Sequence, residues 1–369
     1  MLSHAVLCGV CRMPRWWLLI AVISSGSVLM YAAEPGSGAG ESPVAATVLS
    51  DEQILRRQRV LPEPLMPLRR GAVHADEDAA FVQALQRSAH STPVETCEQL
   101  AAVLAAYPGS RWAPSFGIGL GVMARREGLF ALAEATWQAT WERWRDDHDP
   151  LARACAERGF GEWMQCLAWQ AAEPRLRALM ASRGDRVFNG AAQARVDSAQ
   201  AFLDFALTDM VVVRKLAAYA PGCLLAHQQP DVPAVQIYNL MRSTLVKLSS
   251  AYDEGTDAAM LTPSTLTEVR DVARSLGVPM RIVVRDAGAP IPVPAIVQWA
   301  IGHSSAVVAK QGDRYLIRDW RQDPAYIEIL VTEAAIERSA TPVWLVPDGP
   351  LPPGWHSLSD VEAQRITSH

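Results

Sequence analysis

The stretch Val293 to Trp320, VPAIVQWAIGHSSAVVAKQGDRYLIRDW, sets a histidine and an aspartate on the two arms of a β-hairpin. Ala295 to Trp299 reads as one short strand, and His303 opens a second, β-branched run that reaches Ala309. Gly312-Asp313 supplies turn chemistry, after which Arg314 to Arg318 alternates polar and apolar residues and ends at Asp319. For any tight turn centred near Gly312, antiparallel registry brings Asp319 within about two or three residues of the position opposite His303. An imidazole at a strand start, beside a carboxylate that can fix its tautomer, is two-thirds of a nucleophilic triad. The same pair also occurs as a purely structural ion pair.

Upstream of the hairpin, Thr265 to Leu276 is an amphipathic helix with Leu266, Val269, Val272, Ala273 and Leu276 on its inner stripe, closed by Gly277. Met280 to Arg285 and Val343 to Val346 add further strands, Tyr219 to Gln229 a short helix, and Val232 to Leu248 a segment of mixed character. Before about residue 205 the pattern is helical. Ser50 with Gln53, and Thr92-Pro93-Val94-Glu95, have the form of capping boxes. Ser115 to Arg126 and Leu129 to Arg145 form a helix pair around a break at Gly128, and Asp149-Pro150 starts another. Helices first and antiparallel strands second predict an α+β fold. Six tryptophans, Trp112, Trp137, Trp141, Trp144, Trp163 and Trp169, fall in the helical half and are expected in helix packing rather than in an aromatic groove. Gly117, Gly119 and Gly121 follow no strand, so they read as points of close helix approach, not as a nucleotide loop.

The amino terminus carries Arg12 and Arg15, then the apolar run Trp16 to Met30 and Tyr31-Ala32-Ala33, the layout of a secretory signal peptide or a retained anchor. Membrane contact is expected only through this segment, with the bulk of the chain exported. Removing residues 1–33, which hold those two arginines and no acid, would take the formal charge from −5 to −7. An acidic chain without a Lys/Arg block lacks the footprint of a nucleic-acid partner. Cys97, Cys155, Cys166 and Cys223 remain after the leader, too few for a disulfide scaffold. On one continuous helix Cys155 and Cys166 would share a face roughly 16 Å apart along the axis, beyond bridging distance. No metal-ligand spacing, P-loop or zinc-peptidase motif is present, so no cofactor is expected. His74, His90, His148 and His356 are expected in loops or helix ends without partners.

The residues Pro294, Ala295, Ile296, Trp299, Gly302, His303, Val307, Val308, Tyr315, Ile317 and Asp319, behind an early helix, resemble the hairpin of the bacteriocin-processing, double-glycine-leader cysteine peptidases. The resemblance covers roughly Val211 to Pro347 and implies a papain-like domain. The helix pairs in front resemble tetratricopeptide repeats, and the arrangement is similar to the amino-terminal region of some bacterial YD-repeat proteins, although no YD repeats are present. In that peptidase family the nucleophile stands in a Cys-Gly-Pro-x-Ala-Leu run at a helix start. This chain offers Tyr219-Ala220-Pro221-Gly222-Cys223-Leu224. Aligning the prolines puts Tyr219 in the nucleophile's place and implies a pseudopeptidase, with Tyr219 facing His303. The other register makes Cys223 the nucleophile beside His303 and Asp319. Neither register has the family's upstream glutamine, since Val213 and Ala217 occupy those places. Loss of such an oxyanion-hole donor costs about 2.7–4 kcal/mol of transition-state stabilisation.

The expected organisation is a signal peptide or anchor at 1–33, a tether and leading helices at 34–92, a tetratricopeptide-like domain at 93–205, a papain-like domain at 206–350 and a tail at 351–369. The expected function is to hold a peptide or protein segment without cleaving it, with an active cysteine peptidase as the alternative. Fractionation of a tagged full-length chain is expected to find it outside the cytoplasm, soluble or membrane-attached. Full-length protein in the cytosol is the contrary result.

Overall fold

Helix starts fall where side chains can satisfy the first free amides. In the computed structural model, which describes residues 49–69, 74–208, 216–252, 265–320 and 326–367, Ser50, Thr92 and Thr265 each accept from the backbone N–H three residues on. Gln53, Glu95 and Glu268 reach back to the cap amides at 3.0, 2.8 and 2.9 Å, completing three capping boxes. The leader, the 34–47 tether, Val213 and the 253–263 insertion lie outside the described residues. Among the described residues no helix is long and apolar enough to cross a membrane.

The helical part comprises α1 (Asp51–Arg57), α2 (Ala75–Ser88), α3 (Pro93–Ala106), α4 (Ala113–Arg126), α5 (Phe130–Trp144), α6 (Pro150–Trp169), α7 (Glu173–Ser182) and α8 (Gly190–Thr208). These pack largely in chain order, α4 on α5, α5 on α6 and α6 on α8. Glycines set the closest approach. A Cβ on Gly121 would overlap the Trp137 indole, and one on Gly117 the Thr140 hydroxyl, so these two positions admit α5 against α4. Of the six tryptophans expected in helix packing, Trp112, Trp137, Trp141 and Trp144 are buried there, whereas Trp163 and Trp169 are half-buried. The buried Asp78 carboxylate takes a hydrogen bond from Trp112 Nε1 at 2.7 Å and from Arg111 at 2.6 Å, tying α2 to the start of α4.

A short 3-10 turn, Leu216–Tyr219, leads into α9 (Ala220–Gln228), followed by α10 (Ala234–Tyr252) and α11 (Leu266–Ser275). The segment expected to be mixed, Val232 to Leu248, is one helix from Ala234 onward. Its Ile237, Met241 and Leu245 recur every four residues, and Met241 packs on the bare Cα of Gly222.

Strands β1 (Met280–Arg285), β2 (Ala295–Trp299), β3 (His303–Gln311), β4 (Arg314–Trp320), β5 (Tyr326–Thr332), β6 (Ala340–Pro347) and β7 (Trp355–Ser357) form one antiparallel sheet in the order β5-β4-β3-β2-β6-β1-β7. Two more helices, α12 (Glu333–Ser339) and α13 (Asp360–Thr367), complete the described chain. The architecture is therefore a helical stretch followed by an antiparallel sheet, a general α+β layout.

Helices cover both faces of the sheet. Val283, Val297, Trp299, Val307, Tyr315 and Ile317 share a core with Phe81, Phe116, Leu129 and Trp137 of the helical part. On the reverse face Ile282, Ile296, Ala306, Val308, Trp320 and Leu345 share a second core with Tyr219, Cys223, Met241 and Val269. A third core, around Trp141, Phe160, Phe188 and Phe202, lies within α5 to α8. From Leu49 onward the chain forms one compact unit, with the first core running through both its helical and its sheet parts. Gly121→Ala is expected to lower the urea midpoint, costing about 1–3 kcal/mol because the Trp137 ring must move.

Candidate functional site

The β3–β4 hairpin turns at Gly312, whose φ is 62°, and pairs Gln311 with Arg314. The register then shifts by one residue between Val307 and Ala309, so that Val307 faces Ile317 and Ala306 faces Arg318. Extending this register sets Asp319 opposite Ser305, and the Ser305 hydroxyl donates to Asp319 Oδ2 at 2.9 Å. His303, two residues before Ser305, lies on the same face, and its Nε2 is hydrogen-bonded to the same carboxylate oxygen. Trp320 N–H donates to Asp319 Oδ1 at 2.9 Å, and Trp299 Nε1 to the Ser305 hydroxyl at 2.9 Å. The Asp319 carboxylate is thus held on both oxygens.

Burial alone would push the His303 imidazole down. The Asp319 charge and hydrogen bond, with help from the Gln170 backbone carbonyl, outweigh it and raise the pKa above the ordinary histidine value. Its Nδ1 closes no hydrogen bond, the Gln170 carbonyl acting on the ring only from longer range, and the side chain is 5% exposed.

Tyr219 and Cys223 lie elsewhere. Strand alternation sends His303, Ser305, Ile317 and Asp319 to the face covered by the helical part, while Cys223 belongs to the reverse core with Ala306, Val308 and Trp320. Tyr219 packs there too, its ring centroid 6.0 Å from Trp320 and 5.6 Å from Tyr238. The expectation that Tyr219 faces His303 in the proline-aligned register is therefore corrected, and the structure does not bring Cys223 to the His303–Asp319 pair. Cys223 is fully buried, and its thiol is pushed well above the ordinary value by that burial and secondarily by Asp319. A further correction concerns His356, which lies on β7 and pairs with Asp286 at 3.1 Å, both side chains exposed.

The imidazole opens instead onto a cleft of about 100 Å³ between α4, α6 and the sheet, walled by Phe130, Trp169, Ile301 and Ile329. Arg125, Gln170 and Cys166 also line it. Cys166 takes a hydrogen bond from Gln170 Nε2 at 3.2 Å, and its thiol is pushed up to about 12, chiefly by burial and then by Glu134. It sits in the last turn of α6, where the helix dipole opposes a thiolate. No sequence spacing links Cys166, Gln170 or Arg125 to His303, and only the folding of α4 and α6 over the sheet brings them together. All four cysteines from Cys97 onward are free. Among the described residues no group of three or more His, Cys, Asp or Glu side chains is placed to hold a metal ion.

Compared with known proteins, the chain matches no family model, no curated protein and no solved structure.

The raised imidazole pKa makes stability depend on pH with a definite sign. The folded chain holds the proton more tightly than the unfolded chain, so this contribution is complete below the ordinary imidazole range and disappears as pH rises through the raised value. Urea midpoints measured at about pH 6 and about pH 9 should fall at the higher pH. Asp319→Asn should narrow that difference. Asp319→Ala, which strands a buried imidazole, should cost toward the low end of the ~3–5 kcal/mol typical of a broken buried pair, because the carboxylate side chain is 23% exposed.

Proposed function

We propose that this chain is an exported binding protein in which a cysteine-peptidase-like sheet domain, behind tetratricopeptide-like helix pairs, holds a peptide or protein segment without cutting it. One observation carries this reading: the thiol expected as nucleophile and the imidazole–carboxylate pair occupy opposite faces of the sheet. Nucleophilic catalysis needs the thiol within hydrogen-bond reach of its base. Helices packed on both faces of the sheet support keeping the two apart.

The cleft on the His303 face supplies what a binding site requires, an apolar concavity with a few fixed polar groups. Cys166 shares that cleft, yet its buried, high-pKa thiol is the unreactive form. His303 and Asp319, the two-thirds of a triad that remain, serve as a fixed polar floor.

Two measurements on the native chain test this. Iodoacetamide at neutral pH, followed by peptide mass mapping, should leave Cys223 unmodified until the protein is unfolded. Fluorescein-labelled casein should stay intact. Hydrolysis abolished by Cys223→Ala would restore the peptidase reading, and hydrolysis abolished by Cys166→Ala would move the nucleophile to α6. Peptides selected from a random library on the intact chain should lose binding when Ile329→Asp places a charge in the cleft wall.

A further inference from the structure

We propose that the cleft beside His303 receives the C-terminal residue of a peptide, its carboxylate taken by Arg125 and its apolar side chain by the ring-lined wall. This rests on the binding reading above and names what is bound.

Arg125 lies in the last turn of α4, with its guanidinium over the Trp169 ring at 4.7 Å from the centroid. Its Nε is buried without a hydrogen-bond partner, and among the described residues no carboxylate pairs with it. Glu162, the acid that acts on it most, is already held by Arg158 and Arg195, each at 2.8 Å. A guanidinium cannot shed its proton to escape burial. A half-buried cation without a counter-ion is a standing cost that a bound anion removes.

The second observation is independent of the first. His303 Nδ1, also in the lining, is buried and closes no hydrogen bond, while Nε2 is committed to Asp319. With the ring protonated, Nδ1 is an N–H donor that the Gln170 backbone carbonyl approaches without closing a hydrogen bond, so it retains capacity for a bound acceptor. The ionisable groups lining the cleft are Cys166, whose thiol burial keeps neutral, and Arg125, Arg126, His303 and Asp319. The last two form a pair, which leaves the half-buried Arg125 and the exposed Arg126 as the remaining charges of the lining. Gln170 contributes the converse, a buried Oε1 acceptor without a donor. A C-terminal residue supplies all three complements at once: a carboxylate for the two donors, an amide N–H for Gln170, and an apolar side chain for the wall.

Size narrows the occupant further. The space of about 100 Å³ is smaller than the ~150 Å³ cavity that admits benzene. One side chain fits, whereas an extended segment running through does not.

The test is fluorescence anisotropy of an amino-terminally fluorescein-labelled pentapeptide, Gly-Gly-Ser-Gly-Leu, against the full chain, as free acid and as C-terminal amide. The acid should bind at least about tenfold more tightly, equivalent to ~1.4 kcal/mol. That preference should vanish in Arg125→Gln and persist in Arg57→Gln, a change at an exposed arginine on α1. Free 4-methylpentanoate should compete more weakly than the peptide, and equal competition would overturn the peptide source in favour of a small free acid. Equal binding of acid and amide would overturn the carboxylate inference while leaving the binding reading intact, provided library-selected peptides still bind. Failure of every peptide would overturn both. Thermal melts guard against a folding artefact: Arg125→Gln should not lower the melting temperature of the free chain, since it removes an unpaired charge. A clear decrease would make Arg125 structural and overturn the proposal.

Discussion

Successive side chains of a β-strand point to opposite faces, and in this protein both faces of the sheet are covered. That pairing of alternation with two-sided burial governs everything around the hairpin. The first six residues of β3 are all buried, His303, Ser305 and Val307 beneath the helical part and Ser304, Ala306 and Val308 beneath α9. A residue assigned to one face cannot take part in chemistry on the other. Cys223 and His303 therefore lie toward different faces of the sheet.

A single extra residue sets the assignment. From the Gly312 turn, Lys310 pairs with Tyr315, and unbroken registry would put Ala306 opposite Asp319 and turn His303 to the reverse face. The shift between Val307 and Ala309 inserts one residue into β3, and from there to the strand start the odd-numbered positions face the helical part. Val308 and Ala309 both pack toward the reverse core, consistent with an insertion at this point. The His303–Asp319 hydrogen bond therefore depends on a bulge, and the bulge is held by the burial of both faces.

The helical part and the sheet are mutually dependent. Trp299 contacts Phe130 edge-on at 5.3 Å between centroids, and a Cβ on Gly128, whose φ is 83°, would press on Val331 of β5. Side chains from α4, α5, β3 and β4 close one core, so the cleft cannot persist if the two parts separate. Its unsatisfied groups, Arg125 Nε, His303 Nδ1 and Gln170 Oε1, come from three elements and would be hydrated in an open chain. Buried polar groups are ordinarily paired, and this cluster of exceptions in one concavity is what the proposed occupant would satisfy.

Local chemistry made much of the fold legible. Capping boxes at Ser50 and Thr92, the turn at Gly312, the stripe of Leu266 to Ala273 and the glycine approach of α4 to α5 follow from residue types and spacing within a few positions. The His303–Asp319 pairing was legible to within the register of one hairpin. Strand β5, helix α12 and the continuity of α10 were not read, since half-exposed edge strands and short helices carry weak periodicity and the Ile237–Met241–Leu245 stripe is broken by polar neighbours. Which side of the sheet each residue faces depended on a bulge that no turn residue announces, because Val307 and Val308 are alike in sequence. Cys166, Gln170 and Arg125 joined His303 only through the packing of α4 and α6 across more than a hundred residues of chain. Sequence determined which segments become helices and strands, because caps, turns and periodicity act over a few residues; tertiary structure alone decided which thiol shares a cleft with the imidazole, because that depends on which face each side chain takes when two cores close on one sheet.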